Sequence, residues 1–333
     1  MRRLSHVWLR SGLALALLGT AGCTQILGFD EDYFVVPTRS DGGDATPSGD
    51  ASSADTSGGD ASGRDVVTVE TGGGGDDATG PDAPDPDATP DGPTPTFCQS
   101  LRPKPLFCED FDEGVPLGLE WSYLHQLAGT LALYTSASQS GSASMQAMTQ
   151  VVTSNRVVVD TAAYEDFSIP DAGSPSSGKT FSGSIDLDLR IDQVDSATGV
   201  AVVAQFGLTD GAGNGQYFLQ FVVNSNGADP LGCVLNEDYF ATSTSGSPTM
   251  HPLNATIPID RWVHVQLSMV VPFAGGAGTG TAVINGGAPN TASIQVGVSN
   301  FQPSIGVGLT YASTPSNGWT VLVDNVVFNA TTN

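Results

Sequence analysis

The chain has 333 residues, and its 35 acidic against 11 basic residues give a formal net charge of -24. Nucleic acids and anionic membrane surfaces are bound through clustered lysines and arginines, so this balance excludes both partners for the chain's own surface. Abundant glycine (41) and proline (21) favour β structure beside a flexible region.

Residues 1–22 have the pattern of a secretory signal peptide. Arg2 and Arg3 form a positive start, and residues 13–18 form an apolar core too short to span a bilayer of about 30 Å. The small residues 19–22 then lead into Cys23, which resembles the lipobox of bacterial lipoproteins, although Thr20 stands where Leu or Val is usual. An ordinary signal peptide with an incidental cysteine is the alternative.

The lipobox resemblance implies a membrane anchor. It places a lipid, palmitate included, on Cys23, and Thr24 in place of Asp implies the outer membrane. Residues 23–36 then form the lipidated N-terminus. Residues 37–96 consist mainly of Asp, Gly, Ser, Thr, Ala and Pro, cannot bury enough apolar surface to fold, and are expected to be a disordered linker.

Residues 97–333 show the signals of an all-β domain. Apolar and polar residues alternate strictly over 185–191, 217–223 and 263–269, the period of half-buried strands. Further strand-like runs lie near 129–135, 143–149, 155–160, 199–208, 279–284, 304–312 and 319–328. Ten or more strands with no helical periodicity predict an antiparallel two-sheet sandwich.

The cysteines divide into three roles. Cys98 and Cys108 are close in sequence and are expected to form a disulfide in an oxidising compartment. Cys233 is then a buried small hydrophobe. Pairing of Cys233 with Cys98 or Cys108 remains an alternative.

The head, residues 97–333, resembles the concanavalin A-like lectin/glucanase superfamily of laminin-G-like jelly rolls. The resemblance rests on Phe107–Gly114 with Trp121, on residues 140–145, on 261–265 and on 323–328. Carbohydrate-binding jelly rolls of a related layout share the opening and closing patterns. Both groups imply a jelly-roll sandwich.

Catalysis is not expected from the sequence. The acidic groups with suitable spacing are Glu109, Asp110, Asp112 and Glu113 on the opening strand, and Asp186 with Asp188 on an amphipathic strand. Both are interpreted as solvated polar faces, with Arg190 neutralising the second. Neither a zinc-type histidine spacing nor a serine-nucleophile motif is recognised.

Binding residues can be proposed from side-chain chemistry. Sugars pack on aromatic rings beside amide and carboxylate groups, which points to Asn236, Asp238 and Tyr239 and to Tyr311 with Trp319. The alternative is that these aromatic residues fill the sandwich. No cofactor is expected, although a structural calcium held by Asp112 and Asp324 is a further hypothesis.

The resulting functional expectation is a membrane-anchored, non-catalytic lectin-like protein that binds glycans or cell-envelope polymers. A structural or adhesion lipoprotein with protein partners is one alternative. A glycoside hydrolase-like enzyme is the other.

Overall fold

The structure is a computed structural model that describes residues 95–149, 159–169, 178–194, 199–213, 215–225, 229–241, 244–245, 248–312 and 318–333. The predicted signal peptide, Cys23 and all but the end of the predicted linker lie outside the described residues. In the part of the chain that is described, no helix has the length and apolar character needed to cross a bilayer.

The first of two antiparallel sheets has eight strands. They are β1 (Phe107–Glu109), β3 (Gly129–Tyr134), β4 (Ser144–Thr149), β6 (Thr180–Gln193), β12 (Val263–Pro272), β13 (Gly276–Ile284), β14 (Asn290–Val296) and β16 (Thr320–Thr332). Their order is β14-β13-β12-β6-β16-β4-β3, and β1 also pairs with β16.

The second sheet also has eight strands. They are β2 (Tyr123–Leu127), β5 (Val159–Asp166), β7 (Gly199–Thr209), β8 (Gly215–Ser225), β9 (Leu231–Ala241), β10 (Thr244–Ser245), β11 (Thr249–Ile257) and β15 (Gln302–Ala312). Their order is β10-β9-β8-β7-β15-β5-β2, and β11 pairs with β9. One helical turn, α1 (Phe97–Ser100), precedes the strands.

The core lies between the two sheets. Strand β6 shows the alternation that the sequence predicts, because Ile185, Leu187, Leu189 and Ile191 are fully buried while the residues between them are half-buried. Buried aromatic side chains such as Phe206 fill the space between the sheets. Each buried side chain of this size stabilises the fold by about 1.5–3 kcal/mol. The predicted all-β, two-sheet jelly-roll sandwich is confirmed.

Individual strands agree with the sequence to different degrees. The three strictly alternating segments lie in β6, β8 and β12, and most of the other predicted runs are strands. Strand β5 begins at Val159, so the predicted run near 155–160 falls mostly outside the described residues. Strands β2, β9, β10, β11 and β14 were not predicted. Strand β9 contains Asn236, Asp238 and Tyr239, which the sequence proposed for ligand binding.

The opening and closing segments are held together in two ways. Strand β1 pairs with the end of β16, with Phe107 opposite Phe328 and Glu109 opposite Val326. The predicted disulfide between Cys98 and Cys108 is present and ties α1 to β1. Cys233 is a buried free thiol whose pKa is raised to about 12 by burial, so its pairing with either of the other two is excluded.

Candidate active site

The central strands of the second sheet are buried on both faces, unlike those of the first. Tyr217, Leu219 and Phe221 of β8 point into the core, so Phe218 and Gln220 between them point away from it. These two residues are nevertheless buried. We call the face of the second sheet that is turned away from the first sheet the outer face. Its burial distinguishes it from an ordinary solvated polar face.

A single row of residues crosses the outer face from β2 to β11. Each member lies directly opposite the next on the neighbouring strand, and adjacent strands are about 4.8 Å apart, so the row is about 29 Å long. The members of this central row are Tyr123, Tyr164, Gly306, Gln205, Gln220, Asn236 and Met250. Its middle members Gln205, Gln220 and Asn236 are buried, and its end members Tyr123 and Met250 are exposed.

Three buried amides in the central row form a directional hydrogen-bonded chain, the amide ladder. Asn236 Nδ2 donates to Gln220 Oε1 at 2.7 Å, and Gln220 Nε2 donates to Gln205 Oε1 at 3.3 Å. Bonds that run in one direction polarise one another. The ladder therefore presents a donor at Gln205 and an acceptor at Asn236.

A cluster of ionisable groups lies at the β2 end of the outer face. Asp160 Oδ2 is 2.5 Å from His125 Nδ1, and its other oxygen accepts a 2.8 Å hydrogen bond from the Tyr164 hydroxyl. The rings of Tyr123, His125 and Tyr164 lie within about 5 Å of one another, and Tyr123 stacks on Tyr164. We call His125, Asp160, Tyr164 and Tyr123 the proton-transfer cluster.

Small residues make this cluster possible. Asp160 and Tyr164 are four residues apart on β5, and only Ala162 lies between them on the same face. The small alanine leaves room for the Tyr164 ring to lie along the strand and reach Asp160. Gly306 on the neighbouring strand β15 leaves room for the side of the same ring, since a Cβ atom there would come within 2.6 Å of it.

The hydrogen bond to Asp160 sets the protonation of His125. The Asp160 carboxylate raises the pKa of the imidazole above its usual 6.5, while partial burial opposes this. When neutral, His125 donates from Nδ1 to the carboxylate and has its lone pair on Nε2. Nε2 has no partner among the described residues, and the side chain is 39% exposed. This is the arrangement of a general base that is accessible to a substrate.

Tyr123 is suited to the opposite role. Burial, together with the charges of Asp166 and Asp160, raises the pKa of its phenol, so the hydroxyl keeps its proton at physiological pH. The residue is 38% exposed. A protonated, accessible hydroxyl beside a histidine can donate a proton to a leaving group.

The opposite end of the outer face holds two acceptors without donors. Asn236 and Asp238 on β9 are 1% and 2% exposed. Neither Asn236 Oδ1 nor Asp238 Oδ2 has a hydrogen-bond partner in the described structure. Burial raises the pKa of Asp238 to about 7.

Three of the five residues proposed from the sequence for ligand binding lie on the outer face. Asn236 and Asp238 are the acceptors just described, and Tyr311 packs with valines of β7, β8 and β9 in a small apolar cluster. The other two are turned inward. Tyr239 packs against the core and over Gly297, and Trp319 is 1% exposed within the core.

Glu109 and Asp110 are not part of a solvated face, which corrects the interpretation from the sequence, whereas Glu113 is exposed. Both buried carboxylates accept backbone hydrogen bonds, Glu109 from Phe111 and Asp110 from Cys98. Burial raises the pKa of Glu109 to about 7. Oxygens of Glu109, Asp110 and Glu113 lie within 4.8 Å of one another. These contacts organise the start of the domain.

Asp112 and Asp324, the residues of the calcium hypothesis, both bind the loop between β3 and β4. Asp324 Oδ2 accepts from the backbone of Gln139 at 2.7 Å and of Ser140 at 3.0 Å. Asp112 Oδ1 accepts from Ser142 and Ala143. Burial raises the pKa of Asp324 to about 6. The two carboxylates therefore hold a loop to the opening and closing strands.

Asp186 and Asp188 lie on the exposed side of the first sheet, as the alternation predicts. Arg190 does not neutralise them, because its Nε lies 2.6 Å from Asp192 instead. His264 on β12 takes that place, with Nδ1 3.1 Å from Asp188. The carboxylates of Asp186 and Asp188 raise the pKa of His264 to about 9.

Sequence reasoning missed the proton-transfer cluster. His125 was set aside because no zinc-type spacing includes it, and Asp160 and Tyr164 stand in a run without an obvious motif. The signal that was available is the spacing of Asp160 and Tyr164, which are four residues apart and therefore lie on the same face of one strand. The link from His125 to β5 depends on the pairing of β2 with β5, which no local pattern reveals.

A separate pocket of about 650 Å³ lies against the disulfide. Arg102, Lys104, Leu106 and Glu120 are among its lining residues. None of its lining residues belongs to the central row or to the proton-transfer cluster. The ionisable groups suited to proton transfer are thus found at the outer face rather than at this pocket.

Comparison with known proteins gives structural likeness only. Neither a protein-family model nor a curated protein matches the chain. An endo-β-1,4-glucuronan lyase from the fungus Trichoderma reesei is 15% identical, with a TM-score of 0.47 over 68% of this chain and 95% of its own. A marine alginate lyase from Aplysia kurodai is 10% identical, with a TM-score of 0.46 over 67% of this chain and 98% of its own.

Two expectations from the sequence need correction. The non-catalytic, lectin-like head and the absence of enzymatic activity are not supported, since several of the solved structures with a similar fold are named as enzymes that cleave polysaccharides. The physical reason for the error lies in the outer face. Catalytic groups were sought as paired carboxylates on one strand, and groups that strand pairing brings together, such as His125, Asp160 and Tyr123, were not considered.

Proposed function

We propose that the chain is an enzyme that cleaves a polysaccharide on the outer face of its second sheet. The observation that carries the proposal is the proton-transfer cluster at one end of the central row. The cluster provides groups for proton transfer, namely the histidine held by a carboxylate and the accessible phenol of Tyr123. The central row next to them is about 29 Å long, which is long enough for a polymer.

The positions of the carboxylates favour elimination over hydrolysis. Hydrolysis of a glycosidic bond by paired carboxyls needs a separation of about 5–9.5 Å. Asp166 lies on β5 and Asp238 on β9, with three strands between them, a distance of about 19 Å. Asp160 is engaged by both His125 and Tyr164. The base and the acid that elimination uses are both present in the cluster.

In the proposed reaction, His125 Nε2 removes the proton from the carbon next to the carboxyl group of a uronic-acid unit. The adjacent carboxyl group makes this proton acidic. The electron pair forms a carbon–carbon double bond, the glycosidic C–O bond breaks, and the leaving oxygen takes the proton of the Tyr123 hydroxyl. Asp160 and Tyr164 are positioning residues that fix the tautomer and orientation of His125.

The amide ladder is assigned to binding. Gln205 on β7 is three strands away from His125 on β2, about 14 Å, so it is too distant to contact the sugar that reacts. It is placed to contact a neighbouring unit, with its free Nε2 donating to an oxygen of that sugar. Because the proposed elimination removes a proton next to a carboxyl group, the substrate class is a uronic-acid polymer, of the kind named for the glucuronan and alginate lyases.

The products distinguish the reactions. The full chain is incubated with glucuronan, alginate and a neutral β-1,4-glucan, and both reducing ends and ultraviolet-absorbing double bonds are measured. Elimination yields both signals together from a uronic-acid polymer. Reducing ends without double bonds would refute elimination, and neither signal from any polymer would refute an enzymatic role.

We also propose that this enzyme is anchored by lipid on Cys23, at the outer membrane, with residues 37–96 as its linker. The lipobox-like residues before Cys23 and the residue Thr24 support this. Replacing Cys23→Ser should move the protein from the membrane fraction to the soluble fraction. Retention of the variant in the membrane fraction would contradict the anchor.

A further inference from the structure

The pocket beside the Cys98–Cys108 disulfide has chemistry that the proposed cleavage does not use. Its volume is about 650 Å³, and both cysteines line it. The disulfide and the pairing of β1 with β16 hold this part of its wall in place. Small-molecule sites in proteins have volumes of about 300–1,000 Å³, so the pocket is large enough for a ligand.

Two cations line this pocket without an acidic partner. Arg102 and Lys104 are exposed, and neither forms an ion pair with any described residue. The chain as a whole has a formal net charge of -24 and therefore repels anionic ligands. Because of that repulsion, an anionic polymer needs a local group of cations such as this one.

The guanidinium of Arg102 is held in place and still has donors to offer. Its Nη1 donates to the carbonyl oxygens of Gln99 at 2.8 Å and of Leu101 at 2.6 Å. Its Nε and Nη2 have no acceptor among the described residues. Arginine recognises a carboxylate through two parallel N–H groups, and a side chain that is already held loses less freedom on binding. Arg102 is thus prepared to bind a carboxylate.

The rest of the wall fits the remaining surface of a sugar acid. Leu106 is 60% exposed and supplies an apolar surface. Glu120 is exposed, accepts no hydrogen bond from a described residue, and can accept one from a sugar hydroxyl. A uronic-acid unit has a carboxylate, hydroxyl donors and an apolar ring face, so it matches the cations, Glu120 and Leu106 together.

The pocket lies close to the proton-transfer cluster. Glu120 is three residues before Tyr123, so the Cα atoms of the two residues are at most about 11 Å apart. Ser122 between them is fixed to β5, since its backbone N–H and its hydroxyl donate to Glu165 at 2.6 and 2.9 Å. A polymer that reacts at His125 can therefore reach the pocket with a nearby unit.

We propose that the pocket beside the disulfide is a carboxylate subsite, in which Arg102 and Lys104 bind the carboxylate of a uronic-acid unit near the unit that reacts. The inference rests on the proposed function and deepens it, because it assigns recognition of the acidic substituent to named residues outside the outer face. Glu120 and Leu106 contact the hydroxyl groups and the ring of the same unit.

Binding is measured without cleavage to test the subsite. The full chain carrying His125→Ala is the background, and it is titrated calorimetrically with a glucuronan hexasaccharide. We expect Arg102→Gln, added to this background, to weaken binding about tenfold through the loss of a charge-assisted pair. Lys104→Gln should weaken it about threefold, because an exposed point charge contributes less.

Two controls separate carboxylate recognition from other effects. Arg261→Gln removes an exposed cation that does not line the pocket, and it should leave the affinity for the acidic hexasaccharide unchanged within about twofold. A neutral β-1,4-glucan hexasaccharide should not distinguish the background from Arg102→Gln or Lys104→Gln. An equal loss of affinity in Arg261→Gln, or an equal loss for the neutral ligand, would overturn the subsite.

The stability of the ligand-free variants separates a binding role from a structural one. Arg102 also binds the backbone at the end of α1, whereas Lys104 makes no hydrogen bond to a described residue. Lys104→Gln should therefore leave the urea midpoint unchanged while it weakens binding. Unchanged affinity in both variants would overturn the subsite. A loss confined to Arg102→Gln and accompanied by a lower midpoint would also overturn it, because Arg102 would then be a structural residue.

Failure of the subsite and failure of the proposed enzyme are distinguishable. If the parent chain cleaves the polymer and both variants bind the acidic hexasaccharide as tightly as their background, only the subsite fails. If the parent cleaves nothing and both variants still bind the acidic hexasaccharide more weakly, the subsite stands and the proposed enzyme fails.

Discussion

The ring of Tyr164 lies over Gly306, so closely that a Cβ atom at position 306 would be 2.6 Å from Tyr164 Cε1. The same tyrosine donates to Asp160, which holds His125. A glycine on β15 therefore determines where the histidine on β2 can point. This relationship links the packing of three strands to the proposed chemistry.

Gly306→Ala should displace the Tyr164 ring and weaken its hydrogen bond to Asp160. We expect a loss of about 1–3 kcal/mol in the free energy of unfolding, as for an overpacked site, together with a fall in cleavage activity. Urea unfolding and the rate of reducing-end release measure the two effects. Gly232→Ala is the matched control, since a Cβ atom there meets no atom within 4 Å. Equal effects of the two substitutions would contradict the packing argument.

Asp160→Asn should lower the pKa of His125. The carboxylate holds that pKa above 6.5 against partial burial, so its removal leaves burial to act alone. A general base works when neutral, so the rising limb of the pH–rate profile should shift to lower pH as the maximal rate falls. Proton NMR titration of the His125 ring measures the pKa directly. Asp210→Asn, in the turn between β7 and β8, should leave it unchanged, and an unaltered pKa in Asp160→Asn would contradict the assignment.

His264 should stabilise the fold in a pH-dependent way. Asp186 and Asp188 raise its pKa from 6.5 to about 9, so its stabilising contribution is complete below pH 6.5 and is lost as the pH rises through about 9. The parent should therefore melt at a higher temperature than His264→Gln at about pH 6, with the difference shrinking toward about pH 10. The half-exposed side chain makes the effect small. A difference in melting temperature that does not change with pH would contradict the ion pairing.

The disulfide should stabilise the start of the domain. Cys98 and Cys108 are 10 positions apart in the sequence. Closing a loop of this length lowers the conformational entropy of the unfolded chain, which raises the free energy of unfolding by about 3 kcal/mol. The double variant Cys98→Ser/Cys108→Ser should lose about that much in urea unfolding. A reducing agent should destabilise the parent and leave the double variant unaffected. Equal sensitivity of both proteins to the reducing agent would contradict the assignment.

The fold was predictable because its strands carry local signals. Residues 185–191 alternate in sequence, and β6 alternates in burial in the same register. Strand β9 was missed because both of its faces are buried, so residues 233–236 show no alternation of apolar and polar side chains. Strand β2 was missed because its five residues include His125 and Gln126 and three of the five are exposed.

The site was only partly predictable from the sequence. Asn236 and Asp238 were identified because their side-chain chemistry suits sugars, and both lie on the outer face. His125 was missed because its partner Asp160 is 35 residues away and contacts it only across two paired strands. Trp319 was proposed for ligand binding but lies in the core. An aromatic residue next to a glycine is equally typical of a core position, so the sequence did not distinguish the two.

The most direct test compares two histidine variants in polysaccharide cleavage. His125 and His251 both lie within hydrogen-bonding distance of a carboxylate, but His251 contacts Glu237 on the core-facing side of the second sheet. On a uronic-acid polymer, we predict that the full chain releases reducing ends, that His125→Ala lowers the rate about 10²–10⁴-fold, and that His251→Ala retains it. Undiminished cleavage by His125→Ala, or no cleavage by the parent, would contradict a proton-transfer site on the outer face.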